Sequence, residues 1–437
     1  MSIENINSIL QRFILLHPQL IDLSLDRIVS LTKKLGNPEK NIKNIIHVAG
    51  TNGKGSTIAY LAASLSAAGE KVDCYTSPHL VEFNERIKIG TNGKQVPISN
   101  EDLQDILLEC EKMNNKSPIT IFEITTVAAF LHFSRTGSDY LLLETGLGGR
   151  LDATNIIDKP LITIITPISI DHQDFLGKSI KEIAFEKAGI LKKGVPAIIG
   201  PQETDAHLVI EERAHELKSS LIKWGTDFIA YEQNGNLIYE DGYGLLDLPM
   251  PALEGDHQVI NAGTAIAALR NASKRTTDKR YIAEGMLNVE WPARLERLEN
   301  GSLNKFMLEG SELWLDGGHN TSAAKVISKA MKNLNDRNPM PLIMIVGMMQ
   351  SKDSKSFLSH FSGICNKVVA INIPDQNNAQ DARSIEINAC DLGIKASIAQ
   401  DIKQAIKVDN KNKVRILIVG SLYLAGHVLK VQKETGR

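Results

Sequence analysis

Apolar residues fall along this chain in short unbroken runs, each closed by a glycine-bearing turn and followed by helical periodicity. NIIHVA (44–49) enters GTNGKGS and then TIAYLAASLSAAG, and KVDCYTS (71–77) follows at once. DYLLLET (139–145) ends in GLGGR, and PLITIITP (160–167) ends in ISIDHQD. VPAIIG (195–200) precedes a helical stretch from about 203 to 218. Strands that are apolar along their whole length are buried on both faces. Their alternation with helices predicts a parallel sheet covered on both sides.

The pattern changes between about 225 and 255, where short alternating runs flank an Asn-Gly pair and predict hairpins. Helical periodicity returns from 258 to 288. WPARLERLENGSLNKF (291–306) then reads as a crossing segment, which divides the chain into residues 1–292 and 293–437. Beyond it the first alternation resumes: ELWLDGG, a helix to about 334, PLIMIVGMM, KVVAINI, a helix around 383–392, VRILIVGS and a last helix. This part predicts a smaller, Rossmann-like α/β domain.

A chain of 437 residues exceeds what one ordinary core organises, in keeping with two domains. Lys and Arg number 49 against 51 Asp and Glu, a net charge of −2, so no basic footprint for nucleic acid exists. The 4 cysteines show no CxxC spacing, which argues against a zinc cluster or disulfide framework and fits a reducing compartment. No run approaches the ~18 apolar residues of a membrane-spanning helix, and MSIENINSILQRF lacks the pattern of a secretory signal. The expectation is a cytoplasmic protein without nucleic-acid or membrane partners.

The strongest chemical signal is HVAGTNGKGST (47–57), a strand running into a glycine-rich turn and then a helix. Such a turn lets successive N–H groups point at a phosphate, and the helix N-terminus adds partial positive charge. Lys54 is placed to reach the β- and γ-phosphates, with Gly53, Gly55, Ser56 and Thr57 completing the cradle and a Ser56 or Thr57 hydroxyl available to Mg²⁺. Gly55 separates the lysine from the hydroxyls, a departure from the general GxxxxGK[ST] pattern. The fold class expected is therefore α/β: a P-loop ATPase domain with a mostly parallel sheet, plus the smaller Rossmann-like C-terminal domain.

Other candidates stand at carboxyl ends of strands, where open α/β sheets bind ligands. Glu144 closes one such strand and is placed for a metal. His172 follows another, with Asp171 and Asp174 beside it, although magnesium prefers oxygen ligands. The third glycine of a GxGxxG fingerprint would fall at Leu151, so GLGGR predicts a close turn rather than a dinucleotide site. In LDGGHN (315–320), Asp316 and His319 read as a site, against the simpler reading of an Asn N-cap. Ser421 in GSLYLAG opens a similar turn able to offer N–H groups to an anion.

Taken in order, these motifs resemble the folylpolyglutamate synthase/dihydrofolate synthase family, the folate branch of the Mur ligase superfamily. The resemblance rests on GTNGKGS, TSPHLVEFNERI, FEITTVAAF, ETGLGGRLDATN, ITPISIDHQDFLG, FEKAGI, DHQVINA, WPARLE, LDGGHN and GSLYLAG, and it spans nearly the whole chain. It implies an ATP-dependent amide ligase. Lys54 and its loop become the phosphate cradle, with Ser77, Glu144 and His172 as magnesium ligands and two metal sites in all. Lys187 of FEKAGI matches a lysine that the superfamily carbamylates, which would make it an anionic group helping to hold the second metal. Asn261, Arg294, Asp316 and His319 match nucleotide-binding positions. Asp22, Leu23, Ser24 and Leu25, with Phe122, Glu123, Ile124 and Thr125, match segments lining a pteroate pocket. Leu151, Asp152, Ala153 and Ser421 join the substrate set.

The implied reaction activates a pteroate or folate carboxylate as an acyl phosphate, which the amine of L-glutamate then attacks. Lys54, Lys187 and His172 are its expected catalytic residues, and closure of the two domains about 291–306 would exclude water. Its implied small-molecule partners are dihydropteroate, reduced folates and L-glutamate, and the resemblance leads us to expect a monomer. The short lead-in before Gly50 leaves no room for the additional domain of the peptidoglycan-building relatives, and the Asp22–Leu25 stretch favours the bifunctional bacterial form. Competing expectations are polyglutamylation alone, a P-loop NTPase switch, a dinucleotide oxidoreductase and a pure binding module.

Overall fold

The computed structural model describes residues 5–272, 277–407 and 412–434. The chain forms two compact units. One contains Met1–His79, Phe83–Ala252 and Val259–Val289; the other contains Leu80–Glu82, Leu253–Gln258 and Glu290–Arg437.

The first unit is built on a sheet of β1 (Ile45–Ala49), β2 (Val72–Tyr75), β3 (Ile87–Thr91), β4 (Lys94–Pro97), β5 (Tyr140–Glu144), β6 (Ile162–Ile165), β7 (Ala197–Ile199) and β8 (Leu221–Lys223). Their order is β4-β3-β2-β5-β1-β6-β7-β8. The six strands from β2 to β8 in that order run parallel, and β3 and β4 add an antiparallel edge. Strands β1, β5 and β6 are buried throughout, as their unbroken apolar runs require. The sheet is thus mostly parallel, as expected, while β3, β4 and β8 carried no comparable apolar run. With β1 flanked by β5 and β6, the loops leaving these three strands meet at one end of the sheet.

The hairpin region forms β9 (Phe228–Gln233), β10 (Asn236–Asp241) and β11 (Gly244–Pro249). Asn234 and Gly235 take positive φ of 53° and 79°, the conformation an Asn-Gly turn needs to match strand twist. The expected helical stretch 258–288 is two helices, Asp256–Ala272 and Lys279–Asn288. Its residues 273–276 lie outside the described residues.

The second unit carries β12 (Glu296–Arg297), β13 (Glu312–Leu315), β14 (Leu342–Val346), β15 (Cys365–Ala370), β16 (Ala396–Ile398) and β17 (Arg415–Val419). They are ordered β12-β13-β17-β14-β15-β16, parallel except for the edge strand β12. Segment 291–306, expected as a crossing, is folded into this unit: β12 pairs with β13, and Leu295, Leu298 and Leu303 are buried. Where β13 and β17 begin, Arg415 Nε donates to Glu312 Oε2 at 2.6 Å, and both side chains are nearly enclosed. Burial alone would raise the Glu312 pKa, but bonds from Arg415 and Trp314 outweigh it and hold the carboxyl below its ordinary value.

Removing one partner of such a pair strands a buried charge. Arg415→Leu should lower the stability of this unit by about 3 kcal/mol in urea denaturation at neutral pH, and joint replacement of Glu312 by Leu should recover most of it. The pair's contribution should fade in acid, as the pH falls through the lowered carboxyl pKa.

Candidate active site

Strand β1 ends at Ala49, and the chain then turns sharply before the helix Lys54–Ala67. Two glycines make this turn feasible. Gly50 has φ of 150°, and a Cβ there would lie 1.8 Å from Thr166 Oγ1. Gly53 has φ of 89°, and a Cβ there would lie 2.4 Å from Asn261 Oδ1. Any side chain would meet both an unfavourable backbone conformation and a neighbour. The loop is also tied to the one after β6: Thr51 N–H donates to Pro167 O at 3.1 Å, and Thr51 Oγ1 bonds both Ser169 N and Ser169 O at 3.0 Å.

Two lysines converge on this loop. Lys54 Nζ donates to the carbonyls of Gly50 at 3.2 Å and Thr51 at 3.3 Å, and stands 4.0 Å from Glu144 Oε1. Lys187, on the helix Ile180–Ala188, is buried and donates from Nζ to the same Gly50 carbonyl at 2.9 Å. Burial first, then the nearby Lys54 charge, lower its pKa to about 7 against the opposing pull of Asp171 and Asp152. A lysine that reads in sequence as a solvated helix charge is here a buried amine held against the loop after β1, with its pKa lowered.

Glu144, buried at the end of β5, accepts from Ser77 N–H at 3.0 Å, so two of the three expected metal positions are in contact. Thr57 Oγ1 is enclosed in the first turn of the helix Lys54–Ala67 without a hydrogen bond. A carboxylate and an orphaned hydroxyl are the oxygen donors a hard divalent cation takes, so the residues present fit magnesium. His172, the third expected ligand, lies exposed on the loop after β6, with φ of 51° and its N–H bonded to Asp171 Oδ1 at 2.8 Å.

A second group of expected residues lies on the segments 22–25 and 122–125. The Phe122 ring lies against Gly146, where a Cβ would come within 2.3 Å of Cζ, and it sits 6.4 Å from the Tyr75 ring. Ile124 belongs to the buried core, Leu25 packs against that core, and the Thr125 hydroxyl bonds back to Ile121 O at 2.7 Å. Leu23 packs on the cluster containing Ile168 and Leu176, and Ser24 Oγ accepts from Asp26 N–H at 3.3 Å. Asp22 and Glu123 are joined by Arg27, which the sequence reading did not single out. No local spacing announces it, because Arg27 and Glu123 are 96 positions apart.

Leu151, Asp152 and Ala153 enter a 3-10 turn at Ala153–Ile156. Asp152 is buried, and its carboxylate accepts from Leu147 N–H at 2.8 Å and Thr154 N–H at 3.0 Å. Burial raises its pKa, while these bonds pull it back. Beneath it, His47 Nε2 bonds Thr154 Oγ1 at 2.9 Å; burial and the Lys192 charge push that imidazole down to about 3, so it is neutral.

In the second unit, Asp316 directly follows β13 and is buried, with its carboxylate bonded to the N–H groups of Leu295 at 2.8 Å and Gly318 at 2.6 Å. His319 Nδ1 is 2.9 Å from Gly317 O. Asn320 N-caps the helix Thr321–Arg337, so the simpler reading of LDGGHN holds for that residue. Arg294 Nη1 donates to Ala293 O at 2.9 Å and would lie 3.0 Å from a Cβ on Gly317. Ser421 caps the helix Leu422–Lys433 through Tyr423 N–H, and Gly420 N–H donates to Gly318 O at 3.0 Å, which joins the loops after β13 and β17. Among the described residues, no group of three or more His, Cys, Asp or Glu is arranged to hold a metal, and no helix is long and apolar enough to cross a membrane.

Residues 48–269 match the family model of the Mur ligase middle domain, and residues 302–431 match that of the dihydrofolate synthetase C-terminal domain. The chain is 31% identical over 434 residues to dihydrofolate synthetase of Saccharomyces cerevisiae, covering 95% of this chain and 99% of that one. It is 32% identical over 432 residues to dihydrofolate synthase/folylpolyglutamate synthase of Bacillus subtilis, covering 93% and 94%. In structure it is similar to Escherichia coli FolC in complex with DHPP and ADP, with a TM-score of 0.87 and 30% identity over 98% of this chain and 97% of that one. It also resembles a bifunctional folylpolyglutamate synthase/dihydrofolate synthase with Mn, AMPPNP and L-glutamate bound, at TM-score 0.82 and 28% identity over 96% and 97%.

The low Lys187 pKa has a measurable consequence. Unfolded lysine titrates near ~10.4, so above about pH 7 the unfolded chain binds the extra proton and stability rises with pH. In CO₂-free buffer, wild-type protein should gain on the order of a few kcal/mol between pH 7 and 10 relative to Lys187→Met, measured by denaturation at each pH; parallel profiles would contradict the buried amine.

Proposed function

Because this chain belongs to the Mur ligase family, in its dihydrofolate synthase/folylpolyglutamate synthase branch, we propose that it joins L-glutamate to a pteroate or folate carboxylate at the expense of ATP. The two activities proposed are dihydropteroate to dihydrofolate, and reduced folate to its polyglutamates. The observation that carries this reading is the placement of Phe122 against Gly146, two residues beyond Glu144. It puts an aromatic ring against the loop after β5, at the end of the sheet where β1, β5 and β6 deliver their loops.

A carboxylate cannot expel oxide to form an amide, so it needs a better leaving group. In the proposed first step its oxygen attacks the γ-phosphorus of ATP. The bond to the β–γ bridging oxygen breaks, and ADP leaves with that electron pair. The neutral amine of glutamate then adds to the acyl phosphate carbon, phosphate departs, and the nitrogen gives up a proton. Lys54 and the N–H groups at the start of its helix would offset the negative charge on the transferred group. Glu144, with Ser77 and His172, would hold magnesium, whose charge when bound would lower the barrier to phosphoryl transfer.

Lys187 suits a carbamate role because burial leaves much of its amine unprotonated near neutral pH, the form that reacts with carbon dioxide. The product would be an anion in place of a cation, able to assist a second metal. Asn261, pressed against Gly53, is proposed to serve the nucleotide in the first unit. Arg294, Asp316 and His319 are proposed as nucleotide-binding residues, with Ser421 offering its N–H to an anion. Leu151–Ala153 would present main-chain groups, since the Asp152 carboxylate is committed to its own loop.

Purified protein with MgATP, L-glutamate and either dihydropteroate or tetrahydrofolate tests the reading. ADP release should require both co-substrates and should fall by at least ~1,000-fold in Lys54→Ala, the scale on which such charge contacts act. ADP release indifferent to glutamate and folate would identify a nucleotide switch instead. Release with tetrahydrofolate alone would restrict the enzyme to polyglutamylation.

A further inference from the structure

We propose that Arg27 is a positioning residue that fixes the pterin-binding end of the pocket by clamping Asp22 to Glu123; this rests on the ligase reading above. Residues 21–24 belong to no helix or strand, so no backbone ladder fixes Asp22. Side-chain bonds must do so. From the first turn of the helix Asp26–Lys34, Arg27 Nη1 donates to Asp22 Oδ2 and Nη2 to the Asp22 carbonyl, both at 2.8 Å. Its Nε donates to Glu123 Oε2 at 3.0 Å.

Glu123 is itself immobile. It is buried, and its carboxylate accepts from Thr120 N–H at 2.8 Å in the capping box of the helix Ile121–Thr136. One guanidinium therefore references an irregular stretch to a capped helix end, and its planar fork makes that geometry specific. Phe122, one residue before the anchor, lays its aromatic ring against Gly146 of the loop after β5.

The charges show which end of a ligand belongs here. One guanidinium stands between two carboxylates, a net negative cluster that disfavours the acid end of a pteroate. Asp22 Oδ2 is taken by Arg27 and lies 3.3 Å from His17 Nε2. Asp22 Oδ1 has no hydrogen-bond partner among the described residues, and the side chain is 36% exposed. An ionised carboxylate with one oxygen anchored retains acceptor capacity on the other. It is matched to the amino and ring N–H donors of a pterin. The carboxylate end of the substrate is then left for Lys54.

The test compares Arg27→Gln, Arg27→Lys, Asp22→Asn and the double variant Arg27→Gln/Asp22→Asn. Losing charge-assisted contacts should raise the KM for dihydropteroate roughly 10- to 100-fold in Arg27→Gln, with kcat and the KM values for ATP and glutamate held within about twofold. Arg27→Lys, which keeps charge without the fork, should fall between. If Arg27 acts through Asp22, the double variant should be no worse than Arg27→Gln alone. A rise in all three KM values together, a fall in kcat or melting temperature alone, or an unchanged KM for dihydropteroate would overturn the clamp. Equilibrium titration of dihydropteroate separates the clamp from the reaction. A wild type that binds without turnover would sink the ligase reading and leave the clamp standing, provided Arg27→Gln weakens that binding. Equal binding by wild type and Arg27→Gln would sink the clamp.

Discussion

The Gly50 carbonyl, shared by two lysine amines, is the point on which the catalytic end of the first unit depends. Lys54 reaches it at 3.2 Å and Lys187 at 2.9 Å, one from the helix that follows the loop and one from a helix far along the chain. Two cationic groups so close raise each other's electrostatic cost, and burial adds to it. The outcome is the low pKa of Lys187 rather than the expulsion of either side chain. Gly50 must expose this carbonyl with φ of 150° while passing Thr166 too closely for any Cβ. Backbone geometry and lysine chemistry are thus set by one peptide group.

Much of this was legible in the sequence. The unbroken apolar runs at 44–49, 139–145 and 160–167 marked β1, β5 and β6, because a strand buried on both faces has no polar side to display. The glycine pattern at 50–55 marked the sharp turn between β1 and the helix Lys54–Ala67, because positive φ and close contact at Gly50 and Gly53 leave few alternatives to glycine. Edge strands β3 and β4 were not legible: they are partly exposed, and Lys94–Pro97 carries one apolar β-branched residue among polar ones. Arg27 escaped because its partner is 96 positions away and arginines on helices are ordinarily solvated. Burial of Lys187 was invisible for the same reason, and only the family resemblance drew attention to it.

The second unit shows how similar local signals divide in meaning. Asp316 and Asn320 share one strand-to-helix turn, yet Asn320 is spent on capping its helix and Asp316 on two loop N–H groups. A net charge of −2 likewise conceals local specialisation. Positive charge is gathered at Lys54 and the start of its helix beside the buried Glu144 carboxylate, whereas the Asp22–Arg27–Glu123 cluster is negative. A substrate carrying a donor-rich ring at one end and a carboxylate at the other is complementary to that polarity.

The central claim is that the phosphate loop transfers the γ-phosphoryl group to a substrate carboxylate rather than to water. Dihydropteroate labelled with ¹⁸O in its carboxylate tests this directly, with mass analysis of the phosphate released during glutamate-dependent turnover. Transfer through an acyl phosphate predicts one labelled oxygen in each phosphate formed. Unlabelled phosphate accompanying amide formation would contradict the account.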